Sequence, residues 1–145
     1  MTLPSYETDF YTWSQTQAAA LRAKDWPAID LENVAEEIES LGKRDRRTVR
    51  GHLRVLLLHL LKWAYEPARR GASWQRSVHN ARDTLGMVLD DSRTLRESLP
   101  EALAWAYPRA RQQAHEQTGL PLATFPEACP WTLEQVLNDD FWPEG

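Results

Sequence analysis

The sequence predicts a single all-helical, bundle-like domain built around one long central helix, and three observations lead to that prediction. Strand signals are nearly absent, because no run of β-branched residues alternates with polar ones and no Asn-Gly or Asp-Gly turn occurs. Apolar residues recur instead at the 3.6-residue spacing of an α-helix. The length of 145 residues is typical of one domain, which we expect to span residues 1–145.

An apolar stripe near the start of the chain marks the first predicted helix. Its members are Phe10, Trp13, Gln17 and Leu21. The helix is expected to end near Trp26-Pro27, because a residue that precedes proline is disfavoured in the helical region.

The second predicted helix, from about residue 31 to 64, is the central element. Asp30 is a favourable N-cap, and the glutamates that follow it suit a helix N-terminus. Because the helical phase holds through Gly42, we expect one helix of about 50 Å, with any kink at that glycine and an end at Pro67. One face carries the apolar residues Leu31, Val34, Ile38, Leu41, Val49, Leu53, Leu56, Leu60 and Trp63. The stretch from Leu53 to Trp63 is apolar on nearly all sides, which predicts a central place in the fold or in an interface.

Two further helices and two short helical segments complete the prediction. Ser73 is expected to cap a third helix, whose stripe is Trp74, Val78, Leu85 and Leu89, and Ser92 to start a short turn of helix. A fourth helix begins at Pro100, bends at Pro108 and ends before Gly119. Thr132 caps a last short helix from Leu133 to Leu137, and we expect the acidic tail to pack through Phe141 and Trp142.

Composition limits the classes of protein that the chain can represent. The net charge of −4 disfavours a dedicated duplex-DNA binder, which is usually basic. The single cysteine, Cys129, cannot form an internal disulfide, which fits a reducing compartment, and we expect the protein in the cytoplasm. The first nine residues lack the features of a signal peptide. The longest apolar run, Leu53 to Leu61, is far shorter than the roughly 20 residues that cross a bilayer, so we expect no membrane association.

Several segments together resemble a known bacterial family. They read DLENVAEEIESLG, then HLLKWAYEP, then Ser73-Trp74, then TGLPLATFPEACPWTLEQVL. This combination resembles the bacterial domain of unknown function 29 family from about Tyr6 to Pro143. The resemblance implies an all-helical fold and an origin mainly among cyanobacteria and proteobacteria. It implies no activity and no catalytic residues.

One hypothesis from the residues themselves is a metal-dependent enzyme, such as a hydrolase or nuclease. Asp45, His52 and His59 lie seven residues apart on one side of the central helix, and their side chains are acceptable zinc or iron ligands. The spacing argues against a shared ion, because residues seven apart are about 10 Å apart along a helix. The simpler interpretation is that these polar groups are satisfied by hydrogen bonds, so we expect neither a metal nor a cofactor.

The charges on the central helix are segregated. Residues 30–39 are acidic, whereas Lys43 to Arg54 carries six basic residues and only one acidic one. Such a stripe could bind nucleic acid, as in a toxin–antitoxin-type regulator. It could equally pair with the acidic C-terminal segment or, in an antiparallel homodimer, with a second copy of the helix. We favour pairing within the protein or between copies over nucleic acid, because the net charge is negative and no recognition motif is present.

A cluster of cationic and aromatic residues after the central helix is the best sequence-level candidate for a ligand or partner surface. Arginine and aromatic side chains are enriched in binding surfaces, and loops between helices often carry binding residues. The candidate surface consists of Lys62, Tyr65, Arg69, Arg70 and Trp74. An ordinary corner between helices, with cationic side chains packed over rings, explains the same pattern.

No phosphate-binding glycine loop, Gly-x-Ser-x-Gly motif or Cys-x-x-Cys pair occurs in the sequence, and nothing near Cys129 predicts a reactive thiol. The sequence therefore favours a non-enzymatic protein that binds a protein partner or associates with itself as a homodimer, and it assigns no catalytic residue.

Overall fold

The computed structural model describes residues 6–144, and within that range it contains six α-helices and no strand. They are α1 (Phe10–Ala23), α2 (Leu31–Tyr65), α3 (Ala72–Asp90), α4 (Arg93–Glu97), α5 (Leu99–Thr118) and α6 (Leu133–Leu137). Short 3-10 turns occupy Trp26–Ala28, Pro67–Arg69 and Leu122–Thr124. The all-α prediction is confirmed, and so is the long helix, which passes through Gly42 without a break.

Most of the predicted helix ends are confirmed. The Ser92 hydroxyl accepts from the Leu95 amide at 3.1 Å, and Thr132 forms a capping box with Gln135. Gly119 has a φ of +73°, the left-handed conformation that favours glycine after a helix. The expectation for Ser73 was wrong, because α3 already starts at Ala72 with the extended Gly71 before it.

The chain divides into two compact units, of which the first ends at Arg44 and the second begins at Asp45. The expectation of one domain stays a prediction. In the first unit, α1 is joined to the start of α2 by polar side chains. Gln17 accepts from the Asp30 amide at 2.6 Å and donates to the Ala28 carbonyl at 3.2 Å, and the Trp13 indole donates to the Asp30 carboxylate at 3.1 Å. Three residues of this unit are buried: Trp13, Gln17 and Ala20.

The second unit holds the large hydrophobic core. The predicted apolar stretch of α2 lies at its centre, since Leu53, Leu56, Leu57, Leu60 and Leu61 are fully buried. Burying one leucine side chain contributes about 1.5–3 kcal/mol, so this segment is a major source of stability. The opposing side chains come from α3, α5 and the C-terminal segments: Val78, Leu85, Ala106, Ala110, Phe125 and Val136.

Arg82 on α3 fixes the C-terminal tail to this core. Its side chain is buried, and its three nitrogens donate to the backbone carbonyls of Val136 at 2.9 Å, Asp139 at 3.4 Å and Phe141 at 2.9 Å. Its guanidinium also lies over the ring of Trp142, which packs on Trp63 with centroids 4.4 Å apart. The prediction that the tail packs through its aromatic residues is confirmed for Trp142.

Candidate functional site

Most of the apolar row of α2 is exposed before Val49. Leu31, Ile38 and Leu41 are 73%, 64% and 53% exposed, Val34 is half-buried, and Val49, further along the same row, is 1% exposed. The buried part of the row begins at Val49, more than two helical turns after Leu41.

Helix α1 and the segment before it leave this row exposed. Trp13 on α1 donates to Asp30, just before α2, and Tyr6, which precedes α1, donates its hydroxyl to the Glu37 carboxylate. The hydrogen bond to Glu37 raises the pKa of Tyr6 to about 12, because it holds the proton of the phenol. Positions 37 and 38 differ by 100° around a helix, so the contact at Glu37 does not cover Ile38.

Exposed apolar side chains concentrate in the first unit. Seven of the eight large hydrophobic residues that are exposed within residues 6–144 belong to it, and Met87 on α3 is the eighth. The seven are Phe10, Tyr11, Leu21, Trp26, Leu31, Ile38 and Leu41. Scattered single apolar residues are normal on a surface, whereas a contiguous exposed apolar patch is typical of interaction sites, so this unit is the candidate for one.

Two of the five residues of the candidate surface after α2, Lys62 and Trp74, are in contact with each other. The Lys62 ammonium lies 5.6 Å from the Trp74 ring centroid, as a cation–π pair. The other three residues are engaged separately: Tyr65 packs edge-on against Phe125, Arg69 pairs with Glu66 at 3.3 Å, and Arg70 stacks 5.2 Å from the Trp63 centroid. Arg69 and Arg70 nevertheless remain exposed, so the candidate surface stays a prediction.

Asp45, His52 and His59 do not converge. Asp45 is exposed, His52 is half-buried, and His59 is held by its own helix, where Nδ1–H donates to the Val55 carbonyl at 2.8 Å. Burial lowers the pKa of His59, although the bond to Val55 acts in the opposite direction. Within residues 6–144 no three His, Cys, Asp or Glu side chains are grouped so that they could hold a metal ion.

Cys129 has the surroundings of a structural thiol. It is half-buried against the core, and its sulfur donates to the Trp131 carbonyl at 3.4 Å. Burial raises the pKa of the thiol above its ordinary value, which disfavours the nucleophilic thiolate.

Sequence reasoning missed Arg82, although the sequence does contain a signal for it. On α3, Arg82 lies four residues after Val78 and three before Leu85, so an arginine interrupts the inward-facing stripe. A cation at such a position needs strong acceptors when it is buried. The carbonyls that accept from it are supplied by a distant part of the chain, which local spacing does not identify.

The fold and its surfaces define an all-helical protein with an exposed apolar row on the helical hairpin of its first unit. No helix within the described part of the chain has the length and apolar character needed to cross a membrane. The family model described as "Domain of unknown function DUF29" matches residues 5–142, and the chain belongs to that family. Neither a curated protein nor a solved structure matches the chain.

Proposed function

We propose that the protein is a non-enzymatic interaction module that associates with a second copy of itself through the apolar row of α2. The observation that carries the proposal is the exposure of Leu31, Ile38 and Leu41 on one face of one helix. A two-helix hairpin with three buried residues has little core of its own, and small units of this kind usually gain stability from association.

The charge pattern of α2 supports a second copy as the occupant. Acidic side chains, including Glu32, Glu36 and Glu39, fall in the first part of the helix, and the basic segment begins at Lys43. An antiparallel pair of helices centred near Ile38 places Lys43 of each copy beside position 33 of the other, next to Glu32, and limits the opposition of acids to Glu37 and Glu39 at the axis. A parallel pair aligns acid with acid and base with base, which costs energy.

The proposed dimer is therefore isologous, with the same apolar face contributed by both copies. Each hairpin supplies two helices, so the interface is a four-helix arrangement in which the two α2 rows face one another. The leucine and isoleucine side chains would interdigitate at the centre, with the charged side chains at the rim.

We also propose that the protein is located in the cytoplasm. A lone cysteine whose thiol is buried and hydrogen-bonded needs no oxidising environment, and its raised pKa suits a reduced side chain. The chain uses packing and Arg82, rather than disulfides, to hold its C-terminal tail.

Cysteine cross-linking tests the proposed arrangement. In a Cys129→Ser background, Ile38→Cys lies near the two-fold axis of the antiparallel pair and is expected to form a disulfide-linked dimer under mild oxidation. Leu31→Cys lies seven residues from that axis, so its two sulfurs are about 20 Å apart along the helices and are expected to stay unlinked. Linking of both variants would indicate a parallel pair, and linking of neither, in a chain that sediments as a monomer, would contradict the proposal.

A further inference from the structure

Most arginines of the second unit take part in no ion pair within the described residues, among them four on α2 and α5. Arg46, Arg50 and Arg54 repeat every four residues along α2, and Arg109 lies on α5. Among residues 6–144 the ion pairs within 4.0 Å join Arg69 to Glu66, His79 to Asp83 and Arg93 to Glu97, so none of the four takes part in one.

Trp105 holds two of these cations close together. The Arg109 guanidinium lies 4.3 Å from the indole centroid and the Arg50 guanidinium lies 5.6 Å from the same centroid. These two distances limit the separation of the guanidinium carbons to about 10 Å. One Arg109 nitrogen also donates to the Trp105 carbonyl at 2.7 Å, which fixes the side chain on its own helix.

A cleft between α2 and α5 begins beside this pair. Its volume is about 460 Å³, within the range of small-molecule sites. The residues that line it are Arg54, Pro108, Arg109, Gln112, Gln113 and Glu116. Two of them contain a buried polar atom without a hydrogen-bond partner, namely Arg54 Nε and Gln113 Oε1. Unpaired buried polar atoms are costly and occur rarely, so their presence in the wall of one cleft points to a ligand.

We propose that this cleft binds a small organic acid, with a phosphate or carboxylate group next to a hydroxyl. The acid group accepts hydrogen bonds from the guanidinium groups of Arg54 and Arg109, whose planar forks match an oxyanion. The neighbouring hydroxyl donates to Gln113 Oε1, which needs a donor. Both atoms are closed to solvent in this structure, so binding in this way requires the Arg54 and Gln113 side chains to turn toward the ligand.

Carboxylates on α5 favour a compact anion over a nucleic-acid strand. Glu116 lines the cleft beside Arg54, and Glu101 lies with Arg46 and Arg50 around a small recess on the same seam. A chain of phosphates that followed the arginines would meet both carboxylates, and each would repel it. A small acid bound by Arg54 and Arg109 meets only Glu116, whereas a phosphate chain along the arginines meets Glu101 as well. This site lies wholly in the second unit, so it does not depend on the proposed dimer.

Titration of the full chain with glycerol 3-phosphate and, separately, with malate tests the proposal, at constant ionic strength. The Nε–H signals of Arg54 and Arg109 in ¹⁵N-correlated NMR spectra are expected to shift saturably with one probe or both. Binding of only one identifies the acid as phosphate or carboxylate. Arg109→Gln and Gln113→Glu are expected to weaken binding about tenfold to a hundredfold, since each removes or opposes a charge-assisted hydrogen bond.

Arg93→Gln is the matched control, because it removes an exposed positive charge on α4 away from the cleft. It is expected to leave the affinity unchanged. The absence of saturable shifts with both probes overturns the proposal, and so does an equal loss of affinity in the control. Tighter binding of a thymidine oligonucleotide than of either probe, abolished by Arg50→Gln, overturns the choice of a compact anion.

Discussion

Replacement of Ile38 by glutamine removes the central apolar side chain of the proposed α2–α2 interface while keeping a residue that favours helix. The side chain is 64% exposed in the monomer, and full burial of an isoleucine contributes about 1.5–3 kcal/mol. Its burial in the dimer therefore contributes about 1–2 kcal/mol per copy, and a symmetric interface contains two copies. We expect the dissociation constant of Ile38→Gln to rise about 30-fold to 1000-fold.

Sedimentation equilibrium over a wide range of protein concentrations measures this change. Met87→Gln is the control, because Met87 is 73% exposed and belongs to α3 rather than to the row. The unfolding free energy of the monomer should change little in either variant, because both side chains are already in solvent. An unchanged dissociation constant in Ile38→Gln, or a wild-type protein that stays monomeric at the highest concentration, would refute the reasoning.

Three further predictions concern stability, measured by urea unfolding. Arg82→Leu should lower the unfolding free energy by about 2–5 kcal/mol, because three backbone carbonyls lose a charged donor and that of Val136 is left buried without one, and Arg82→Lys should lose less; a loss below about 0.5 kcal/mol would contradict this. Burial keeps the pKa of His59 below its ordinary 6.5, so the unfolded state takes up the proton first. The unfolding free energy should therefore be unaffected by the titration of His59 above pH 6.5 and should fall progressively below pH 6.5. His59→Gln should remove this decline between pH 7.5 and 5.5, whereas His79→Gln, a change at an exposed histidine, should retain it. Thr132→Ala breaks the capping box of α6 and should cost about 1 kcal/mol, and the absence of any loss would show that this helix is held by packing alone.

The local elements were predictable because their causes are local. The stretch from Leu53 to Leu61 is apolar on nearly all sides of its helix. Such a helix is stable only when it is buried in the protein interior, and this one is buried. Ser92 and Thr132 cap the helices that follow them because their hydroxyls reach amides three residues away. The left-handed φ of Gly119 follows from the same short-range geometry.

The grouping of residues at the candidate sites depends on contacts between distant parts of the chain, which the spacing of residues in the sequence does not determine. Arg46, Arg50 and Arg54 are recognisable in the sequence as a basic stripe, but the meeting of Arg50 with Arg109 at one indole requires α5 to lie against α2. The same is true of Arg82, whose acceptors come from residues more than 50 positions later in the chain.

By itself the sequence determined that α2 has one apolar face from Leu31 to Trp63, because hydrophobic periodicity encodes which side chains share a face. Only the tertiary structure decided which part of that face is covered. The second half is buried by α3 and α5, whereas in the first half Tyr6 contacts Glu37 and leaves Ile38 in solvent. Periodicity is a property of a single helix, but burial depends on where the neighbouring helix lies, and here polar bonds from Tyr6 and Trp13 fix that position.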